Sequence, residues 1–214
     1  MVFLSHLRGF TGSWREHVKL VQHLEEVIHL FYMPEVHQVL VPMLLDFLLH
    51  GNKHAQEAAC SCLAKILQYQ HHSPSRTELL QAVKKELYQS SKWAMRKTHL
   101  YFCKYVVQVM PLAFFREHFL KEYLEASRDK VSNVRREFAT ALLVIKPYFE
   151  RDIDLAFELM ELLTELSHDT DQDVVEAAEH TDYALLQRRK QKKMTEEDDL
   201  LQVNFQARLA QREK

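Results

Sequence analysis

Asp129-Lys130-Val131-Ser132-Asn133-Val134-Arg135-Arg136-Glu137-Phe138-Ala139-Thr140-Ala141-Leu142 is the stretch on which the fold turns. A polar turn leads into an aliphatic residue and two arginines. Val134, Phe138, Ala141, Leu142 and then Ile145 follow on one helical face. The pattern recurs at Asn52-Lys-His-Ala55, Lys92-Trp-Ala-Met95 and Asp171-Gln-Asp-Val174. The anchors Ala55, Met95, Val134 and Val174 stand 40, 39 and 40 residues apart. A fixed period of this length is the signature of stacked helix pairs. Pro34, Pro74, Pro111 and Pro147 keep a similar beat. Proline breaks a helix interior but fits a first turn, so each marks a junction between units.

Two helices are predicted in each unit. The first unit reads Pro34–Leu49, a turn 51–54 and Ala55–Tyr69; the second, Arg76–Gln89 and Trp93–Met110. The third reads Leu112–Ala126, the turn Ser127–Lys130 and 133–145. The fourth reads Ile153–Leu166, the turn 167–173 and Val174–Leu186, with Asp171 or Asp173 able to cap the last helix. One such pair cannot hide its apolar face, and stacking on a neighbour completes the core. Phe102, Phe115, Phe119, Phe138 and Phe157 are expected to be core residues. Upstream, Trp14 lies 41 residues before Ala55, and Leu20, Leu24, Val27 and Ile28 follow it. This reads as a further second helix, its partner missing or shortened to residues 1–12. The expected organisation is a partial repeat over 1–33, four helix pairs over 34–187 and a charged tail over 188–214. The absence of a polar end cap suggests a fragment or short isoform of a longer array.

Composition removes other classes. Only three glycines occur, Gly9, Gly12 and Gly51, so no phosphate-cradling loop can be written. Basic and acidic residues number 28 and 30, which gives no global pull toward nucleic acid or an anionic membrane. No apolar run approaches the ~18 residues of a membrane span. The longest, Val39–Leu49, holds Pro42 and Asp46. Met1–Phe10 is broken by His6 and Arg8 and does not read as a signal peptide. Cys60, Cys62 and Cys103 read as buried, reduced thiols of a cytoplasmic protein.

The repeated pattern resembles the HEAT repeat, whose second helix opens Asp-x-x-x-x-Val-Arg and continues through small residues to Leu. Asp129 with Val134, Arg135, Ala139, Ala141 and Leu142 matches it best. Asp169 with Val174, Ala177 and Ala178 follows, Val175 replacing the usual arginine. The second unit keeps Arg96; the first has Gln56 at that place; Pro42 resembles the family's kink proline. The resemblance covers residues 34–187. It implies an all-α fold, a right-handed solenoid of about four helix pairs of the armadillo/HEAT kind. Among HEAT proteins the chain most resembles regulatory or scaffold subunits of type 2A-like Ser/Thr phosphatases. The hints are Ser13-Trp14-Arg15-Glu16, the divergent units and the charged tail. The resemblance implies a non-catalytic subunit that holds a phosphatase catalytic subunit through repeat turns and second-helix ridges.

Sites of catalysis are not apparent. No nucleophile elbow, HExxH or paired CxxC can be written, and Cys60-Ser61-Cys62 is too tight for a structural zinc site. His50 and His54 are four apart, but Gly51 interrupts the helix that would align them. No enzyme, cofactor or metal is expected. Positive charge gathers at corresponding places of units two and three: Lys92, Arg96 and Lys97 with Trp93, then Arg128, Lys130, Arg135 and Arg136. One reading is a ridge for an acidic protein surface, anchored by an aromatic ring and forked arginines. The other is a solvated face whose arginines bond to adjacent repeat turns. Asp169, Asp171, Asp173, Glu176 and Glu179 give the fourth unit the opposite sign, and a Coulomb contact between units three and four accounts for both. The tail with its basic run Arg188–Lys193 reads as a solvated helix, or as a nuclear-localisation or partner-binding helix, a weak signal. A generic protein-interaction adaptor, unrelated to phosphatases, stays open as the alternative function.

Overall fold

The computed structural model describes residues 13–70 and 74–212, with 196–212 as backbone only. The expected partner helix within 1–12 lies outside the described residues. Among the described residues every regular element is a helix. Helix α1 spans Trp14–Val27. Helix α2 joins Met33–Glu35, a π turn Val36–Leu40 and Val41–His50, and α3 is Lys53–Tyr69. Helix α4 joins Pro74–Val83 to a π turn Lys84–Tyr88, and α5 is Trp93–Val109. Helix α6 runs Leu112–Phe115, a π turn Arg116–Leu120, Lys121–Glu125 and a closing 3-10 turn Ala126–Arg128. Then come α7, Ser132–Ile145, α8, Ile153–Leu166, and α9, Gln172–Arg212.

Helix starts follow local chemistry. Asn52 accepts from the Ala55 N–H at 3.0 Å, Asp152 from Leu155 at 3.2 Å and Asp171 from Asp173 at 3.1 Å. The Asp171 cap is one of the two expected. A π turn relieves the first-unit helix just before Pro42, whose ring and missing N–H would disrupt an α ladder. The next two first helices reach a π turn without an internal proline. Gly51 serves a close approach rather than a special φ: a Cβ there would lie 2.4 Å from the Phe47 carbonyl oxygen.

Second helices pack on one another in chain order, α1 on α3, α3 on α5, α5 on α7 and α7 on α9. Fully buried small residues, Ala59, Ala64, Ala139 and Ala141, permit that approach. All four anchors, Ala55, Met95, Val134 and Val174, are buried. An aromatic cluster fills unit three and reaches the junction after it: Tyr123 lies 4.7 Å from Phe138 within the unit, and Phe115 lies 5.9 Å from Phe149 beyond its last helix, centroid to centroid. Each such side chain contributes about 1.5–3 kcal/mol on burial. Phe102, Phe115, Phe119 and Phe138 are buried as expected, but Phe157 is 64% exposed. Leu155, Leu159, Leu163 and Leu166 take the inward face of α8 and turn Phe157 outward. Helix α9 does not stop near Leu186. It continues to Arg212, and two basic residues of its extension turn back onto the end of unit three and the segment after it: Arg188 donates to the Leu143 carbonyl at 2.8 Å, and Lys192 meets Glu150 at 2.9 Å.

Candidate partner-binding ridge

The cations predicted for one ridge divide into two sets. Arg96 donates from Nε and Nη2 to the Asp129 carboxylate at 2.6 and 2.9 Å, and from Nη1 to the carbonyls of Ser90 and Ser91. Arg135 repeats this one unit later, reaching the Asp169 carboxylate twice at 2.7 Å and the Asp129 carbonyl at 2.7 Å. These are forked, charge-assisted pairs, the stronger kind of hydrogen bond. Each aspartate also accepts a turn N–H, from Val131 at 2.8 Å and from Asp171 at 2.9 Å. The rungs Arg96–Asp129–Arg135–Asp169 therefore tie three successive turns together.

Electrostatics agree with the geometry. Burial alone would raise the Asp129 carboxyl, but the bonds from Arg96 and the Val131 N–H hold it below its ordinary value. The Arg135 hydrogen bond lowers Asp169 against a smaller effect of burial. The ladder stops where its partners stop. Gln56, at the arginine position of unit one, bonds back to the Leu48 carbonyl at 3.0 Å, and Val175 fills that position in unit four. Arg128 is exposed and turns toward α8, meeting Glu165 at 3.3 Å. Arg96 and Arg135 thus join units, the second of the two readings that their sequence positions leave open.

Lys92, Trp93, Lys97, Lys130 and Arg136 remain on the outside. Lys92, Trp93, Lys130 and Arg136 are exposed and Lys97 is half-buried. The Lys97 ammonium lies 5.5 Å from the Trp93 ring centroid and 5.7 Å from that of Tyr101. Lys97 and Arg136 each stand two residues after their anchor, so they occupy one row along the second helices. The same row holds Glu57 in unit one and Glu176 in unit four. Two cations and a ring are therefore flanked by acidic residues at both ends.

The interior holds one pair that resembles catalytic chemistry. Cys103 Sγ lies 3.8 Å from His99 Nδ1. Burial pushes the Cys103 thiol up and the His99 imidazole down to about 4. An activated pair needs thiolate beside imidazolium, the reverse of both shifts. His99 also lines a cleft of 720 Å³ between α4 and α6, beside Glu122, which Lys84 holds in an ion pair. This cluster was missed in the sequence because its members lie in three different helices. His50 bonds Asp46 at 2.9 Å and His54 stacks on Trp14 at 5.4 Å, so the two histidines face different neighbours. No group that could hold a metal ion and no helix long and apolar enough to cross a membrane occur among the described residues.

No protein-family model matches the chain. Curated proteins similar to it include serine/threonine-protein phosphatase 4 regulatory subunit 4 of Mus musculus, 24% identical over 144 residues. The Homo sapiens protein of the same name is 24% identical over 135 residues. The matches cover 67% and 63% of this chain but 16% of either relative. The relationship is distant, and both relatives are regulatory subunits.

Proposed function

We propose that this chain is a non-catalytic scaffold or regulatory subunit, a right-handed HEAT-type solenoid that holds a type 2A-like Ser/Thr phosphatase catalytic subunit. The carrying observation is the division of the basic residues: Arg96 and Arg135 are spent on the inter-unit ladder, while Trp93, Lys97, Lys130 and Arg136 are left facing outward. The distant likeness to a phosphatase 4 regulatory subunit supports the partner class. The ridge suits an acidic partner surface that packs on the Trp93 ring and pairs with the neighbouring cations. The chain supplies position, and the partner supplies the chemistry. The helix pairs over 34–187 form the solenoid, and a cytoplasmic location, with the basic run after Arg188 as a nuclear address, fits the same role.

Reversal of charge at Lys97 and Arg136 tests the ridge without touching the ladder. The tagged double variant Lys97→Glu/Arg136→Glu is expected to lose bound phosphatase activity while retaining its helical circular dichroism. Full retention of the phosphatase by that variant removes the ridge from the interface.

A further inference from the structure

Helix α8 carries two parallel rows along its outer edge. Ile153, Phe157 and Met160 form an apolar row at helical spacing, with Ile153 80% and Phe157 64% exposed. One residue further on, Asp154, Glu158, Glu161 and Glu165 form an exposed acidic row. Phe157, Met160, Glu161 and Glu165 line a single open depression of 730 Å³ with Thr164 and His168. Glu165 meets Arg128, whereas Asp154, Glu158 and Glu161 make no ion pair among the described residues.

The rows are not a property of the repeat. The buried Leu155, Leu159 and Leu163 fall 40 residues after Phe115, Phe119 and Tyr123, which fixes the register between α6 and α8. In that register Ile153 and Phe157 replace Ala113 and Glu117, while Asp154, Glu158 and Glu161 replace Phe114, His118 and Lys121. Met160 keeps the apolar Leu120 of unit three, so relative to that unit α8 gains Ile153, Phe157 and the acidic row. The fourth unit, Arg151 to Gln187, holds eleven acidic residues and one basic residue in a chain whose net charge is −2. Such an excess opposes a second copy of the same face and favours a cationic occupant.

We infer that the outer edge of α8 is a docking surface for a basic amphipathic helix of a partner protein. The partner's apolar residues would lie along Ile153, Phe157 and Met160, and its lysines or arginines beside Asp154, Glu158 and Glu161. This surface is distinct from the ridge, and its test needs only the purified chain.

The probe is a labelled helical peptide of about 18 residues made of leucine and lysine at amphipathic spacing. Two control peptides carry glutamate for lysine or serine for leucine. Fluorescence anisotropy is expected to show binding of the leucine–lysine peptide alone, weakening as salt is raised. Phe157→Ser/Met160→Ser and Glu158→Lys/Glu161→Lys should each weaken it by about tenfold or more. Both pairs are exposed or half-buried, and thermal unfolding will show whether the fold is kept. Equal binding of the serine–lysine peptide, or unchanged binding by either folded double variant, overturns the inference. A dimer in light scattering that Phe157→Ser dissociates would assign the edge to a second copy and likewise overturn it.

Discussion

Replacing Arg135 by methionine removes the rung between units three and four while keeping much of the side-chain volume. Three hydrogen bonds disappear, two to the Asp169 carboxylate and one to the Asp129 carbonyl. Asp169, whose side chain is 9% exposed, keeps the Asp171 N–H as a donor but loses its cation. Removing one partner of a buried ion pair costs about 3–5 kcal/mol. The Arg135 side chain is 16% exposed, so water reaches part of the site and about 2–3 kcal/mol is the better figure. Adding Asp169→Leu removes the stranded carboxylate and should return much of the loss, leaving a coupling of about 2 kcal/mol. In a stacked array the damage stays near the broken junction. Both tryptophans, Trp14 and Trp93, lie before that junction. In urea, tryptophan fluorescence should therefore report a later transition than far-ultraviolet circular dichroism in Arg135→Met, and hydrogen exchange should accelerate in α8 and early α9 while α3 keeps its protection. Arg136→Met, one residue away and exposed, should cost less than about 0.5 kcal/mol. Coincident transitions, or a loss no larger than that of Arg136→Met, would refute the reasoning.

Gly51→Ala should destabilise by about 1–3 kcal/mol in thermal unfolding, because the new Cβ meets backbone at 2.4 Å; a neutral result would show that the turn relaxes. His99 gives a pH dependence of definite sign. Burial holds it at about 4 in the folded chain, against about 6.5 unfolded, with Glu122 favouring and Lys84 opposing its proton. Between those values the unfolded chain binds a proton that the folded chain does not, so stability is whole above pH 6.5 and falls by about 3 kcal/mol on reaching pH 4. His99→Phe should flatten urea midpoints across that window, and an unchanged slope would place the sensitivity elsewhere. The three thiols are all buried, with Cys62 pushed up to about 12 by loss of solvation. A chromogenic disulfide reagent should find none of them in the native chain at pH 8 and all three after unfolding; rapid reaction of any one would contradict their burial.

The architecture was legible where periodicity and burial coincide. Every anchor is buried, and Ile153–Leu166 ends where its pattern ends. Phe157 shows the limit of the method. Both 153/157/160 and 155/159/163/166 are apolar rows, and periodicity alone does not say which one faces the core. The extra inward leucines decide it once α7 and α9 are in place. The ladder is a second case. Arg135 and Asp169 are 34 residues apart, and the arginine's two readings stay open until stacking brings the turns together. A counting rule would have found the rungs: an arginine one place after an anchor, facing an aspartate five places before the next. The π turns left no trace, since they occur both before Pro42 and in two helices that lack an internal proline.

The central proposal is that this chain positions a phosphatase. Capture of the tagged full chain from cell extract at near-physiological salt, followed by mass spectrometry, addresses it most directly. A type 2A-like Ser/Thr phosphatase catalytic subunit should appear in stoichiometric amount and lend the beads phosphatase activity. Other partners in stoichiometric amount on the folded chain, with neither catalytic subunit nor activity, would contradict the proposal and identify a helical protein-interaction adaptor of another kind.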